Sequence, residues 1–222
     1  GNLDLALLDL PADSTAVASI KQALKATLAT IALTRQVMAY SGKAQVAPRS
    51  VNLNDLVTQN HEMFASALAP TTKLELELSN SVPDILVDPN QILQVFINLI
   101  TNSADAIGTE PGTIILRTGT QICTAQQLSS SRLPDKPEPG PFVYFEIADT
   151  GSGMDADTQR RLFDPFFTTK AMGHGLGMSM VSGIVQTHRG AILLHSTPGR
   201  GTTIRLLLPE RSGQAHVPHP DA

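Results

Sequence analysis

The sequence predicts an α+β protein: a two-layer α/β sandwich, with a mixed sheet carrying helices on one face, preceded by an α-helical hairpin. Three observations lead there. Val17, Ile20, Leu24, Leu28, Ile31 and Met38 keep nearly heptad spacing in a stretch without Gly or Pro, the pattern of a long amphipathic helix. Beyond residue 50, stretches of alternating or β-branched residues mark several strands. These strands and the helices between them do not alternate strictly, which argues against a doubly wound parallel sheet.

Taken in order, Leu3, Leu7 and Leu10 sit at helical spacing before Pro11-Ala12-Asp13-Ser14 breaks the pattern, and Ser14 can cap the long helix to about Tyr40. This hairpin buries little by itself, so a four-helix homodimer is its expected completion; the alternative is that the stripe packs on the body of its own chain. Residues 41–48 form a hinge-like linker. A short strand is expected near Ser50–Leu53, then a helix over Asn54–Leu68. Thr72–Leu78 alternates strictly and predicts a half-exposed strand. Ile85–Val87 predicts a short buried strand. Asp88 caps the next helix, with Pro89 at its first position, and that helix runs to about Ile107. Its expected buried face is Leu93, Phe96, Ile97, Ile100 and Ala104. A strand starts over Thr113–Arg117 and can extend to Cys123. Ala125–Pro141, with four prolines and Ser129-Ser130-Ser131, predicts an exposed excursion or flexible loop. Phe142–Ala148 is rich in aromatic and β-branched residues and predicts a buried strand. A short helix fits Ala156–Phe163, a longer one Leu176–His188, and strands fit Ala191–His195 and Thr202–Leu208. The domain division expected is 1–46 for the partial hairpin, 47–209 for the sandwich and 210–222 for a linker tail.

Composition narrows the function classes. With 41% hydrophobic and 16% charged residues the chain suits a globular protein with a substantial core. A net charge of −4 gives no strong pull toward nucleic acid. Cys123 is the only cysteine, so no disulfide framework is expected and a reducing, cytoplasmic compartment is. No uncharged apolar run is long enough to span a bilayer, and the N-terminus lacks the basic-then-apolar layout of a signal peptide. Because the chain begins inside an apolar pattern, a longer parent protein is expected.

Chemistry concentrates in five places. Asp149-Thr150-Gly151-Ser152-Gly153-Met154 follows the Phe142–Ala148 strand and delivers one carboxylate to a strand end. The glycines let the backbone turn and approach a flat ligand, and the carboxylate can accept from an exocyclic amine such as that of adenine. The same pattern also occurs in ordinary turns. Asn98, Asn102 and Asp105 share a stripe on the Asp88–Ile107 helix. Asparagine is a poor helix-interior residue, and an amide oxygen is a suitable hard ligand for magnesium beside phosphates; capping or bridging to nearby backbone is the alternative. Leu162–Lys170 holds three of the seven phenylalanines, expected to anchor the loop on the core, while Thr168, Thr169 and Lys170 lead toward solvent, where Lys170 can meet a phosphate. Gly173-His174-Gly175-Leu176-Gly177 opens a helix and exposes N–H groups to an anion. It is neither a Walker A sequence nor a dinucleotide fingerprint. His174 can touch phosphate or simply face solvent. Gly199–Thr203 is a tight turn into the last strand, with Thr202 able to support adenine.

In this order the motifs resemble the catalytic ATP-binding domain of sensor histidine kinases, in the GHKL family that includes DNA gyrase and the mismatch-repair ATPases. Asn98–Ala106 resembles its N box, Asp149–Met154 and Gly173–Gly177 its glycine boxes, Phe163–Phe167 its F box, and Gly199–Thr203 its last glycine box. Residues 50–209 are covered, and Phe-Phe-Thr-Thr-Lys looks most like the nitrogen-regulatory and hybrid kinase branch. The resemblance implies the GHKL (Bergerat) fold, ATP and Mg2+ as cofactors, and Asn102 as the metal ligand. It implies catalytic roles for Asn98, Asn102 and Lys170. It implies nucleotide contacts from Asn102, Asp105, Asp149, Gly151, Gly153, Met154, Thr169, Lys170, Gly173, His174, Gly175, Leu176, Gly177 and Thr202. The implied activity is γ-phosphate transfer to a histidine and onward to a response regulator receiver domain. Two departures matter. Hydrolytic members carry a glutamate where Asn98 stands, and an amide cannot act as a base. No histidine precedes His61, so the phosphoacceptor is expected upstream of Gly1. A hydrolytic ATPase and a non-catalytic nucleotide-binding dimerisation module are the rival expectations.

Overall fold

The computed structural model describes residues 47–170 and 175–210. The hairpin expected over 1–46, the tail beyond Glu210, and Gly173 and His174 lie outside the described residues.

Strand β1 (Arg49–Val51) pairs antiparallel with β3 (Ile85–Val87), Arg49 opposite Val87. Leu86 points outward and Ile85 and Val87 inward. Asn52 then starts helix α1 (Leu53–Gln59): its Oδ1 accepts from Asn54 N at 3.0 Å and its Nδ2 donates to Val82 O at 2.9 Å. The expected single helix over Asn54–Leu68 is instead two, α1 and α2 (His61–Ser66). The break falls at Asn60, whose side-chain amide donates to Leu56 O at 2.8 Å. A local side-chain bond of this kind competes with the helical ladder.

The main sheet has the order β2-β4-β5-β7-β6. Strand β2 (Thr72–Leu78) lies at one edge, parallel to β4 (Gly112–Cys123). Strand β5 (Gly140–Asp149) is antiparallel to both β4 and β7 (Thr202–Pro209), and β6 (Ala191–Ser196) closes the far edge against β7. The sheet is therefore mixed, as expected. Three further helices are α3 (Pro89–Ile107), α5 (Ala156–Arg161) and α6 (Gly177–Thr187), the first and last packing on each other and on one sheet face. Helix α3 is fixed at its start by Asp88, whose Oδ1 accepts from Asn90 N at 2.9 Å, and the His188 ring accepts from Asp88 N at 3.0 Å.

Helix α3 sits in a different rotation from the one its sequence first suggests. Ile92, Val95, Phe96, Leu99, Ile100, Ser103 and Ile107 are buried, Leu93 and Ala104 are only half-buried, and Ile97 is 38% exposed. The helix has enough apolar residues for two overlapping stripes that share Phe96 and Ile100; packing selects the one with more large aliphatic residues. Phe96 stacks on Phe145 of β5 at a centroid distance of 3.8 Å. This rotation turns Ser103 inward, toward the end of β5.

The second face of the sheet is charged at its centre and apolar at one end. Glu77, Arg117, Glu146 and Arg205 stand in one row across four strands. Buried Glu146 accepts from Arg117 at 3.2 Å and from Arg205 at 2.7 Å. Its charge is thus paired from both sides, as burial requires.

Residues 124–139 form the expected excursion, largely exposed, but it is a pinned segment and not a flexible loop: Leu128, Ser131 and Leu133 are buried. Thr124 and Gln127 form a capping box that starts helix α4 (Ala125–Ser129). Leu128 packs with Cys123, Phe142, Ala191 and Leu207 on the second face, whereas Leu133 joins the main core. Between them Arg132 N donates to Ile192 O at 2.8 Å, and Ser131 Oγ accepts from Ile192 N at 3.2 Å. The segment is a strap bent around the edge strand β6, and it satisfies backbone groups that an edge leaves open. The prolines mislead because three of them, Pro134, Pro137 and Pro139, fall in irregular backbone that a packed strap also uses, and the fourth, Pro141, lies inside β5. Truncating Leu128 to alanine should cost about 2–5 kcal/mol, as for other buried leucines, read as a lower urea midpoint; a loosely held loop would change it by less than about 0.5 kcal/mol.

Candidate nucleotide site

The site begins at the end of β5. Asp149 Oδ1 accepts from Gly151 N at 2.9 Å and Thr202 N at 3.1 Å, and Oδ2 accepts from Ser103 Oγ at 3.0 Å. Three elements thus hold one carboxylate: its own turn, the start of β7, and α3. Burial raises its pKa above the ordinary value of 3.8, and the bonds from Gly151, Ser103 and Thr202 oppose that rise. Desolvation disfavours the charged form, and donors to it partly restore it.

The turn after Asp149 interlocks with the turn between β6 and β7. Ser152 N donates to Ala106 O at 2.9 Å, and Gly199 N donates to Ser152 O at 2.7 Å. Met154 N donates to Ser196 Oγ at 2.9 Å, and that hydroxyl also lies 2.9 Å from Thr202 Oγ1. Gln159 Nε2 bonds both Met154 O and Ser196 O, at 2.9 and 3.0 Å. Two glycines make this possible. Gly153 (φ 64°) backs onto Thr197 O, and Gly201 (φ 80°) backs onto Asp149 O so closely that a Cβ on either would overlap the carbonyl. Gly151 lies against the Ala106 backbone. Ser103, Ser196 and Gln159 were not anticipated. Ser103 had a faint signal, as a small polar residue beside Asn102 in an apolar helix; Ser196 and Gln159 had none.

The polar stripe of α3 holds the other end. Lys170 Nζ donates to Asn102 Oδ1 at 3.0 Å and to Asp105 Oδ2 at 2.7 Å. Asn98 differs: its Nδ2 donates to Gln94 O of its own helix at 2.7 Å, and its Oδ1 faces Gly177 at the start of α6. Gly175 O accepts from Phe166 N at 2.9 Å, which ties the phenylalanine segment to the approach to α6. Leu176 is buried, its carbonyl accepting from Met180 N and Ser179 Oγ, both at 3.0 Å. Thr169 is exposed; the hydroxyl engaged here is that of Thr168, which accepts from Lys170 N at 3.0 Å.

The phenylalanines do not act as one anchor. Phe163 packs on the core, and Phe167 is half-buried under the Arg161 guanidinium, 4.4 Å from the ring centroid. Phe166 is 71% exposed with a left-handed backbone (φ 66°). Its backbone is set by the bond to Gly175, and in that conformation the ring projects outward.

Among the described residues no group of three or more His, Cys, Asp or Glu side chains is placed to hold a metal, and no helix is long and apolar enough to cross a membrane. The donor set near α3 is a single amide oxygen with a carboxylate one turn on. That suits Mg2+, which keeps several waters and is held largely through substrate phosphates.

A half-buried strand-end carboxylate, glycine turns locked around it, and an amide–carboxylate–lysine cluster along the same helix define a nucleotide-binding α/β sandwich. The chain belongs to the family of histidine kinase-, DNA gyrase B- and HSP90-like ATPases, whose model matches residues 87–212. It is 35% identical to the sensor kinase CckA of Brucella abortus (strain 2308) over 179 residues, 80% of this chain and 18% of that one. It is 32% identical to the sensory histidine kinase/phosphatase NtrB of Rhizobium leguminosarum bv. phaseoli over 184 residues, 81% of this chain and 46% of that one. The chain therefore spans less than half the length of either relative. Among solved structures, full-length ShkA in complex with AMPPNP aligns at a TM-score of 0.70 and 20% identity, over 91% of this chain and 40% of that one. Histidine kinase ThkA in complex with response regulator protein TrrA aligns at 0.61 and 21%, over 95% of this chain and 56% of that one. These alignments bear out the expected fold.

Proposed function

We propose that this chain is the catalytic core of a histidine kinase, which binds Mg-ATP and presents its γ-phosphate to a histidine on another segment. The observation that carries this reading is the continuity of the site along α3: Ser103 supports Asp149, and neighbouring Asn102 sits with Asp105 and Lys170. One rigid helix therefore spans an end suited to an adenine amine and an end suited to phosphates. Asp149 would accept from the amine; Asn102 would be one magnesium ligand; Lys170 would meet the terminal phosphate. The metal, when bound, would neutralise phosphate charge. Transfer would form a bond from a histidine ring nitrogen to the γ-phosphorus and break the bond to the β–γ bridging oxygen, releasing ADP. The protein's contribution is positioning and charge stabilisation.

Asn98 supports transfer over hydrolysis. An amide already donating to its own helix cannot activate water. The likeness to CckA and NtrB, and the ThkA complex, support a response regulator receiver domain as the later acceptor. Residues 1–46 would supply part of a homodimeric dimerisation and phosphotransfer hairpin, 47–209 the catalytic domain, and 210–222 a linker.

Asn102→Ala should abolish the gain in ATP affinity that magnesium provides, a loss of about tenfold or more for a contact to a charged group, measured by titration with and without Mg2+. The transfer itself is tested by mixing the chain with γ-labelled ATP and a separate helix carrying a histidine. Acid-labile, base-stable label on that helix is expected. ATP binding with no such label, together with steady phosphate release, would favour the hydrolytic reading.

A further inference from the structure

The group that holds Asn102 and Asp105 is itself a cation. Lys170 Nζ lies 3.0 Å from Asn102 Oδ1 and 2.7 Å from Asp105 Oδ2. We propose that Lys170 is an internal placeholder for the metal, and that Asp105 is the residue that retains it, so that nucleotide must compete with Asp105 for the lysine. The proposal rests on the Mg-ATP reading above.

The two occupancies exclude each other. A magnesium ion on Asn102 Oδ1 would sit about 2.1 Å from the oxygen that now accepts from the ammonium. It would therefore stand within a few ångströms of a like charge, with the same lone-pair region contested. The phosphates arriving with the metal offer Lys170 a stronger anionic partner than one carboxylate. The lysine would thus leave α3 as nucleotide loads, and return when it departs.

The strength of the contact suits a reversible device. The Lys170 and Asp105 side chains are 42% and 59% exposed. An ion pair this open to water is weak and screened by salt. It can hold a flexible lysine without blocking nucleotide entry. Among the described residues neither side chain makes another ion pair. Asp105 is therefore assigned as a positioning residue that lowers nucleotide affinity by retaining Lys170. That differs from a direct contact to the nucleotide, the role the family resemblance implies.

The test has a nucleotide-free arm and a binding arm. In nucleotide-free protein, acetylation of the Lys170 ε-amine by an N-hydroxysuccinimide ester, followed by mass spectrometry, should be severalfold faster in Asp105→Asn than in the parent chain. In excess chelator, a non-hydrolysable ATP analogue should bind Asp105→Asn about two- to fivefold more tightly, the range of one exposed ion pair. In a Lys170→Met background that gain should vanish, because the competition acts through the lysine. An unchanged acetylation rate overturns the proposal, as does weaker binding by Asp105→Asn. An equal gain in the Lys170→Met background also overturns it, since it would mark simple repulsion between Asp105 and phosphate. If the parent chain binds no nucleotide, the Mg-ATP reading fails and the proposal with it, while the acetylation rates still show separately whether Asp105 retains the lysine.

Discussion

Replacing Asp149 by asparagine should weaken ATP binding by about ten- to hundredfold and leave the fold intact. The carboxylate already accepts three hydrogen bonds, from Gly151, Thr202 and Ser103, and its orientation is fixed before any ligand arrives. An adenine amine would then meet a preorganised acceptor. Asparagine keeps the shape but removes the charge, and its amide can turn a donor toward a donor. Losing a hydrogen bond to a charged group costs about 1.5–3 kcal/mol, which sets that range. Titration of a fluorescent ATP analogue measures it, with circular dichroism as the check on folding.

The pH dependence follows from the same carboxylate. Burial raises its pKa above 3.8. Binding needs the ionised form, so it is full well above the raised value and is lost as pH falls through it, earlier than for an exposed aspartate. Adenosine, which has no phosphate to titrate, is the suitable ligand, and Asp149→Asn should flatten this part of the profile. For folding the sign is opposite. A carboxyl whose folded pKa is raised contributes stability below its unfolded pKa and loses it as pH rises through the folded one. At neutral pH the ionised group is therefore a cost, and Asp149→Asn should melt no earlier than the parent chain.

Gly201→Ala should be the most damaging small substitution at the site, costing more than about 3 kcal/mol. Part of that is the left-handed conformation, about 1–2 kcal/mol for a residue with a Cβ. The rest is overlap with Asp149 O, whose strand end cannot move without disturbing the carboxylate. Gly199→Ala is the control: its φ is 73°, but a Cβ there meets nothing within 4 Å. It should lose only the conformational part. Urea denaturation of the two variants separates strain from collision, and nucleotide binding should fall with Gly201→Ala alone.

Local periodicity and caps made most elements legible. Thr72–Leu78 alternates in sequence and in burial, and Asp88-Pro89 marked the start of α3. The asparagine stripe and the glycine turns pointed to the right ends of the right elements. What stayed hidden depends on contacts distant in sequence. The rotation of α3 is decided by what it packs on, because its apolar residues allow two stripes. Ser196 matters only because β6 and β7 place it beside Met154. The parallel pairing of β2 with β4 leaves no mark in either strand. Phe166 resembled its two neighbours in type, and only the bond to Gly175 separates them.

The structure of this chain with Mg2+ and a non-hydrolysable ATP analogue would test the site as a whole. The expected result has the adenine amine within hydrogen-bond distance of Asp149, magnesium about 2.1 Å from Asn102 Oδ1, and Lys170 moved from Asp105 to the terminal phosphate. A nucleotide bound away from Asp149, or a magnesium ion held without Asn102, would contradict it.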